Sequence, residues 1–303
     1  MKPTARKLSG MQKVETPFAE SKATDLLHQG AIHLLGFEFD GTACFRKGAV
    51  LGPNAMRDIS FGIESYSPYL NLDSSEIDFY DLGNLPVDRG WEEGTNYFFK
   101  EFSHAELAIN KIKLLTLGGE HSISYAPIKT YLEEYKDLVL LHLDAHADLR
   151  DGYEGHHYSH ASIIRRVYDH FQKSHELIQY GIRSGTREEY SWMSQQKTLC
   201  ESRGDFLKQV RGIDDERPIY LTLDLDYFDP SFFAGTGTPE PGGEDFHSFV
   251  SLMKILKNKN FVGADIVELA PNIDSSGNSA VFAAKVVRET ILALNSESQK
   301  MVN

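Results

Sequence analysis

Three short stretches of this chain place carboxylates and imidazoles at spacings that suit metal chemistry. In LDAHAD, Asp144, His146 and Asp148 alternate with Leu143, Ala145 and Ala147. A period of two puts all three polar groups on one face of an extended segment, with small alanines behind them. In TLDLDYFDP, Asp224 and Asp226 repeat the two-residue spacing. In GGEHS, His121 follows a Gly-Gly pair that is expected to swing the imidazole over a sheet edge. Together these stretches offer four carboxylates and two imidazoles. So many carboxylates in one place repel each other unless cations sit among them. Mixed oxygen and nitrogen donors without thiolate suit a pair of Mn²⁺ ions, with Ni²⁺, Co²⁺ or Zn²⁺ as alternatives. Two such ions can activate a water as nucleophile.

Taken singly, each piece has a plainer explanation. An Asp two residues from another Asp is often a solvated turn, and a histidine after Gly-Gly is often a loop residue. Three ionisable groups on one face of an apolar strand are harder to explain away. The convergence of all three stretches favours the metal reading.

The elements that must position these residues are apolar runs alternating with amphipathic ones. AIHLLGF, IDFYDLG, KLLTLGG, LVLLHLDAH, LIQYGIR, PIYLTLDLD and FVGADIVEL read as strands. Helices are expected over Gly94–Ile112, Tyr125–Tyr135, His160–Asp169 and Phe246–Lys257. Nearly continuous apolar strands separated by helices predict an α/β fold with a mostly parallel sheet covered on both faces. The donors lie at or just past strand C-terminal ends, where open α/β sheets bind ligands. Residues 1–30 read as an N-terminal extension, with some helix around Ala23–Gln29. Residues 31–296 read as one catalytic domain and 297–303 as a tail.

Bulk composition sets the outer limits. The 303 residues are 41% hydrophobic, enough for a sizeable core, and hold no apolar run long enough to cross a membrane. The polar N-terminus lacks an apolar stretch of the secretory kind. Cys44 and Cys200, the two cysteines, make no zinc-ribbon or disulfide framework. A soluble cytoplasmic protein with reduced thiols is expected. Net charge is −13, the wrong sign for a nucleic-acid backbone, and it favours approach of a cationic substrate.

These motifs, in order and spacing, resemble the arginase–agmatinase (ureohydrolase) family, and most closely its agmatinases. The likeness runs from Ala31 to about Leu294. It rests on GGEHS (Gly118–Ser122), DAHAD (Asp144–Asp148), LDLDYFDPSFFAGTGTPEPGG (Leu223–Gly243) and DIVELAP (Asp265–Pro271), with GFEFDGTACFRKGAVLGPNAMRD as a fifth stretch. The resemblance implies a three-layer α/β/α fold, a binuclear manganese site and homotrimers or homohexamers. It implies His121, Asp144, His146, Asp148, Asp224 and Asp226 as ligands. Glu268 would hold the guanidinium and His160 would shuttle protons, with His156 and His157 as weaker rivals. Asp148 is counted with His160 and Glu268 as catalytic as well as among the ligands. His142 reads as a hydrogen-bonded core histidine, and Asp229 as the cap of a turn.

The implied reaction is release of urea from a small guanidino compound. LRDGYEGHHYSHAS departs from the arginase arrangement that receives an α-carboxylate and α-amino group, and looks like the agmatinase version. Asp151 and Glu154 would suit a second cationic end, so agmatine is favoured over guanidinobutyrate and arginine. Arg150 or a histidine at 156–157 would instead meet a carboxylate. Two rivals are a single-zinc deacetylase of the same general fold, which would lack the histidine of GGEHS, and a non-catalytic homologue.

Overall fold

A computed structural model describes residues 6–295. The tail at 297–303 lies outside the described residues. Nine strands form the central sheet: β1 Lys22–Ala23, β2 Ile32–Phe37, β3 Phe79–Asn84, β4 Lys113–Gly118, β5 Val139–Leu143, β6 Glu176–Tyr180, β7 Leu199–Cys200, β8 Ile219–Asp224 and β9 Phe261–Val267. Their spatial order is β7-β6-β5-β8-β9-β4-β2-β3-β1, and every pairing is parallel. All seven expected strands form. The two edge strands, β1 and β7, have two residues each, too short for any pattern to reveal.

Alternate side chains of each strand enter opposite apolar layers. Leu115, Leu141, Leu221 and Ala264 join one cluster, while Leu114, Leu140, Tyr220 and Val262 join the other. The first layer is roofed by α1 (Gly52–Ser60), α7 (Arg203–Gly212), α8 (Phe246–Leu256) and α9 (Asn278–Leu294). The second is roofed by α2 (Trp91–Phe102), α3 (Leu107–Asn110), α4 (Tyr125–Glu134), α5 (Ile163–Tyr168) and α6 (Arg187–Gln196). Burial on both faces is what nearly continuous apolar strands require. The fold is the expected three-layer α/β/α.

Three local expectations are corrected. The helix expected over 94–112 is two helices, α2 and α3, because Glu106 and Lys111 take left-handed backbone on either side of α3. The helix expected from His160 begins at Ile163, because a reciprocal Ser159–Ser162 capping box holds residues 160–162 in a separate 3₁₀ turn. Residues Ala23–Gln29 are not helical. Lys22–Ala23 is β1, and Leu26–Leu27 pairs with Arg6–Lys7. The backbone N–H of Thr24 donates to the Asp81 carbonyl on β3, a partner that local sequence cannot announce.

Candidate metal centre and substrate cavity

Four neighbouring strands, β5-β8-β9-β4, end at one place. His121 follows β4, Asp144–Asp148 follow β5, Asp224 closes β8, and Glu268 follows β9. The parallel strand order thus brings residues more than a hundred positions apart to one rim. The local geometry is not the extended alternation that the spacing suggests. β5 stops at Leu143, and Asp144 Oδ1 accepts the His146 backbone N–H at 2.5 Å. Asp224 Oδ1 likewise accepts the Asp226 N–H at 2.8 Å, with Asp226 inside a 3₁₀ turn. Asp148 and Glu268 both have positive φ, 53° and 68°. Carboxylate-capped turns, not pleated strand, aim these side chains.

The six expected ligands come together. His121 Nδ1 lies 3.0 Å from Asp144, 3.1 Å from Asp148 and 3.5 Å from Asp224. His146 Nδ1 lies 2.9 Å from Asp226 and 3.6 Å from Asp144. Two groups with metal-ligand spacing follow: His121, His142, Asp144 and Asp148 in one, and Asp144, His146 and Asp226 in the other.

The hydrogen bonds behind His121 test whether this cluster suits a cation. Asp265 is fully buried and accepts from Ser124, Tyr220 and Thr222 hydroxyls, at 2.7, 2.9 and 2.6 Å. Thr222 has therefore given away its one proton, and its oxygen can only accept from His121 Nε2, 2.8 Å away. The neutral imidazole then turns a bare Nδ1 lone pair toward three carboxylates. That nitrogen is buried and has no hydrogen-bond partner. A lone pair facing anions is repulsive, and a metal ion between them makes every contact favourable. The residues present fit the group.

The charges tell the same story. Burial and the Asp144 charge push Asp148 up to about 7. Burial, Asp226 and Asp144 hold Asp224 well above the usual carboxylate range. Burial pushes Asp144 up, but the imidazoles of His121, His142 and His146 around it outweigh burial and hold that carboxyl well below its ordinary value. Burial opposes charge on His121, yet its carboxylate neighbours raise it well above an ordinary imidazole. Without a cation Nδ1 therefore takes a proton, and the bare lone pair is the state that a metal ion would meet after displacing it. Such a cluster calls for positive charge.

A cavity of about 220 Å³ opens over the cluster. Glu268 lines it, buried, with Oε1 accepting the His121 backbone N–H at 2.9 Å, and burial and Glu120 raise its pKa well above the usual range. His160 lines it too, with Nε2 at 3.3 Å from Cys44 Sγ. His157 instead contacts Arg166, whose guanidinium also pairs with Asp151 at 2.7 Å. Asp151 is 79% exposed and does not line this cavity, so the structure places it away from the expected substrate position. Glu154 is exposed on a left-handed turn, also outside the lining, and, after burial, its charge raises the Cys44 thiol at the cavity wall. Asp229 caps its turn, accepting the N–H groups of Ser231, Gly242 and Gly243. Thr222, Asp265, Gln179, Thr238 and Glu189 escaped the sequence reading. Thr222, Asp265 and Gln179 act through partners distant in the chain, which no local spacing could flag, whereas Glu189 also closes a capping box with Thr186 whose spacing is local.

The model of the arginase family matches residues 30–293. The chain belongs to the arginase family. Among its relatives, an agmatinase from Bacillus cereus is 35% identical over 279 residues, spanning 89% of this chain and 94% of that one. An N(1)-aminopropylagmatine ureohydrolase from Thermococcus kodakarensis is 33% identical, spanning 93% and 95%. The crystal structure of a candidate agmatinase from Clostridium difficile superposes with TM-score 0.82 at 36% identity, spanning 89% of this chain and 99% of that one. Family membership and the two adjoining donor groups together indicate a binuclear metal site. A single-metal arrangement does not account for the second group.

Proposed function

We propose that this arginase-family chain is a ureohydrolase that takes agmatine and water to urea and putrescine. The observation that carries the reading is the bare His121 Nδ1 held by Thr222 against Asp144, Asp148 and Asp224, at the floor of a cavity. The agmatinase relatives support the substrate.

His121, Asp144, Asp148, Asp224, His146 and Asp226 would hold two divalent ions. Their oxygen and nitrogen set, free of thiolate, suits Mn²⁺, with Ni²⁺, Co²⁺ and Zn²⁺ as competitors. When bound, the ions supply Lewis acidity and lower the pKa of water. The protein does the rest. Glu268 offers a buried carboxylate to the planar guanidinium and fixes its plane. His160, at the cavity wall, moves a proton through Nε2 toward the departing amine. Both residues line a cavity of about 220 Å³, which has room for a short chain.

A second reading has an observation of its own. Arg150 lines the cavity, and its guanidinium packs 4.7 Å from the Tyr153 ring centre. That cation favours a substrate ending in a carboxylate, such as guanidinobutyrate or arginine. The full ligand set argues against a non-catalytic homologue. The family resemblance also brings an expectation of trimers or hexamers, and the thiol content and polar N-terminus one of the cytoplasm, which light scattering on purified protein and cell fractionation address.

Urea release from agmatine, guanidinobutyrate, arginine and aminopropylagmatine, with Mn²⁺ and then Ni²⁺ or Co²⁺, tests the reading. Agmatine with Mn²⁺ should give the highest kcat/KM, and no urea from any of them would end the ureohydrolase account. Asp226→Asn should weaken one ion and cut turnover at least about a hundredfold, the scale of lost electrostatic catalysis. Full activity with both ions retained would remove Asp226 from the ligand set.

A further inference from the structure

Behind the cavity, a line of buried side chains runs from the sheet edge to Asp144. Thr198 Oγ1 donates to Gln179 Oε1 at 2.8 Å. Gln179 Nε2 lies 3.1 Å from His142 Nδ1 and 3.3 Å from the Ala147 carbonyl oxygen. A carbonyl only accepts, so Ala147 fixes which way the amide faces, and the NH₂ group must point at His142. His142 Nδ1 therefore accepts. The proton of the neutral ring sits on Nε2, which donates to Asp144 Oδ2 at 2.9 Å. His142 has no lone pair left for a cation, although its position beside His121, Asp144 and Asp148 would otherwise allow one.

Asp144 is the residue that belongs to both donor groups. Oδ2 faces His121 Nδ1 at 3.0 Å, and Oδ1 faces His146 Nδ1 at 3.6 Å. The carboxylate is held by one N–H on each oxygen, from His142 on Oδ2 and from the His146 backbone on Oδ1. Two donors on opposite oxygens fix its plane. We propose that Gln179 and His142 are positioning residues which hold the Asp144 carboxylate in the one orientation that serves both cation positions. The proposal rests on the binuclear metal reading of the site. The energetics support it: the Gln179 and His142 side chains are fully buried, so a lost partner leaves an unsatisfied group with no water to replace it.

Metal affinity, measured on metal-free protein titrated with Mn²⁺ against a competing chelator, is the decisive readout. Gln179→Leu removes the donor at similar volume and frees the imidazole to switch tautomer. Both Mn²⁺ binding steps should weaken by about 10–100-fold, the usual cost of losing a ligand's outer partner. Thr198→Val deletes a buried hydrogen bond at the far end, but leaves Gln179 oriented by Ala147. It should lower thermal stability while changing each Mn²⁺ affinity less than about threefold, as the Gln179–His142 contact survives. Nitrogen NMR of metal-free wild type should report an Nε2-protonated His142. Wild-type affinity in Gln179→Leu, weakening of a single step, or equal losses in Thr198→Val would each overturn the proposal. A wild-type protein that binds no pair of ions overturns the metal reading beneath it instead.

Discussion

At the scale of single residues, the proton economy around His160 makes a testable case. Thr42 gives its hydroxyl proton to Glu120, so its oxygen can only accept from His160 Nδ1, 3.4 Å away, as it does from the His160 backbone N–H at 3.2 Å. Nε2 is then the lone-pair nitrogen. Burial and the Glu154 charge raise the Cys44 thiol above its ordinary pKa, so it remains S–H and donates to Nε2. Burial, followed by the charges on His146 and His121, pushes His160 down to about 4. The thiol bond stabilises the neutral ring. Removing it in Cys44→Ala should raise the His160 pKa, and the ring carbon shift followed against pH in zinc-loaded protein reads this directly. His160→Gln identifies the resonance, and should keep both ions while slowing urea release by about 10²–10⁴-fold, the span of general acid–base catalysis. An unmoved titration in Cys44→Ala would remove the thiol from this role. The six metal-type donors were legible because their types and spacings are unusual in apolar strands. Cys44, Thr42 and Gln179 were not, because neither a thiol, a threonine nor a glutamine acquires a role until the fold chooses its partner.

Elements were readable where their pattern was long and their environment uniform. Seven strands stood out because both faces are buried, whereas β1 and β7 carry too few residues to show anything. The glycines before His121 show how a right location can have the wrong cause. Neither takes positive φ, so conformational freedom is not what they supply. A Cβ on Gly119 would sit 1.9 Å from the Phe39 carbonyl oxygen, and one on Gly118 2.5 Å from Val267 Cγ1. They are there for close approach of β4 to its neighbours, a tertiary fact. On β2, His33 carries a consequence for stability. Its ring is buried, Nε2 accepts the His28 backbone N–H at 2.9 Å, and Nδ1 has no partner among the described residues. Burial first, and then the His28 charge, push its pKa down to about 3. An unfolded imidazole takes a proton near pH 6.5, which the folded one refuses, so stability falls as pH drops from about 6.5 toward 3. The limiting slope is about 1.4 kcal/mol per pH unit for one proton. Urea unfolding of metal-free protein at pH 7, 6 and 5 should show a shallower decline for His33→Gln than for wild type. Equal slopes would show that His33 is not the group taking up the proton.

At the scale of the whole molecule, fold and charge act together on the choice of substrate. The sheet order sets β5, β8, β9 and β4 side by side, so every donor reaches one rim of one cavity. That much follows from a parallel sheet whose polar residues sit at strand exits. What pattern could not supply is which mouth residues face inward, since Asp151 is taken by Arg166 and Arg150 is turned toward the cavity. The long-range field remains. The chain carries a net charge of −13, and two bound divalent ions would offset only four of those charges. A cation diffusing toward such a molecule is attracted, and the attraction fades once the Debye length contracts to about 3 Å at 1 M salt. Agmatine carries two positive charges, whereas guanidinobutyrate carries none overall. Raising salt from about 10 mM to 500 mM should therefore lower kcat/KM for agmatine several-fold through steering alone, and leave guanidinobutyrate nearly unchanged. Turnover at saturation should hold steady for both, because bound substrate no longer feels the distant field. Sodium chloride and potassium chloride series should agree, separating screening from ion-specific effects. A flat response for agmatine would mean that Arg150 and the bound cations cancel the chain's field at the cavity mouth, and the weight of the substrate argument would shift toward the guanidino acids.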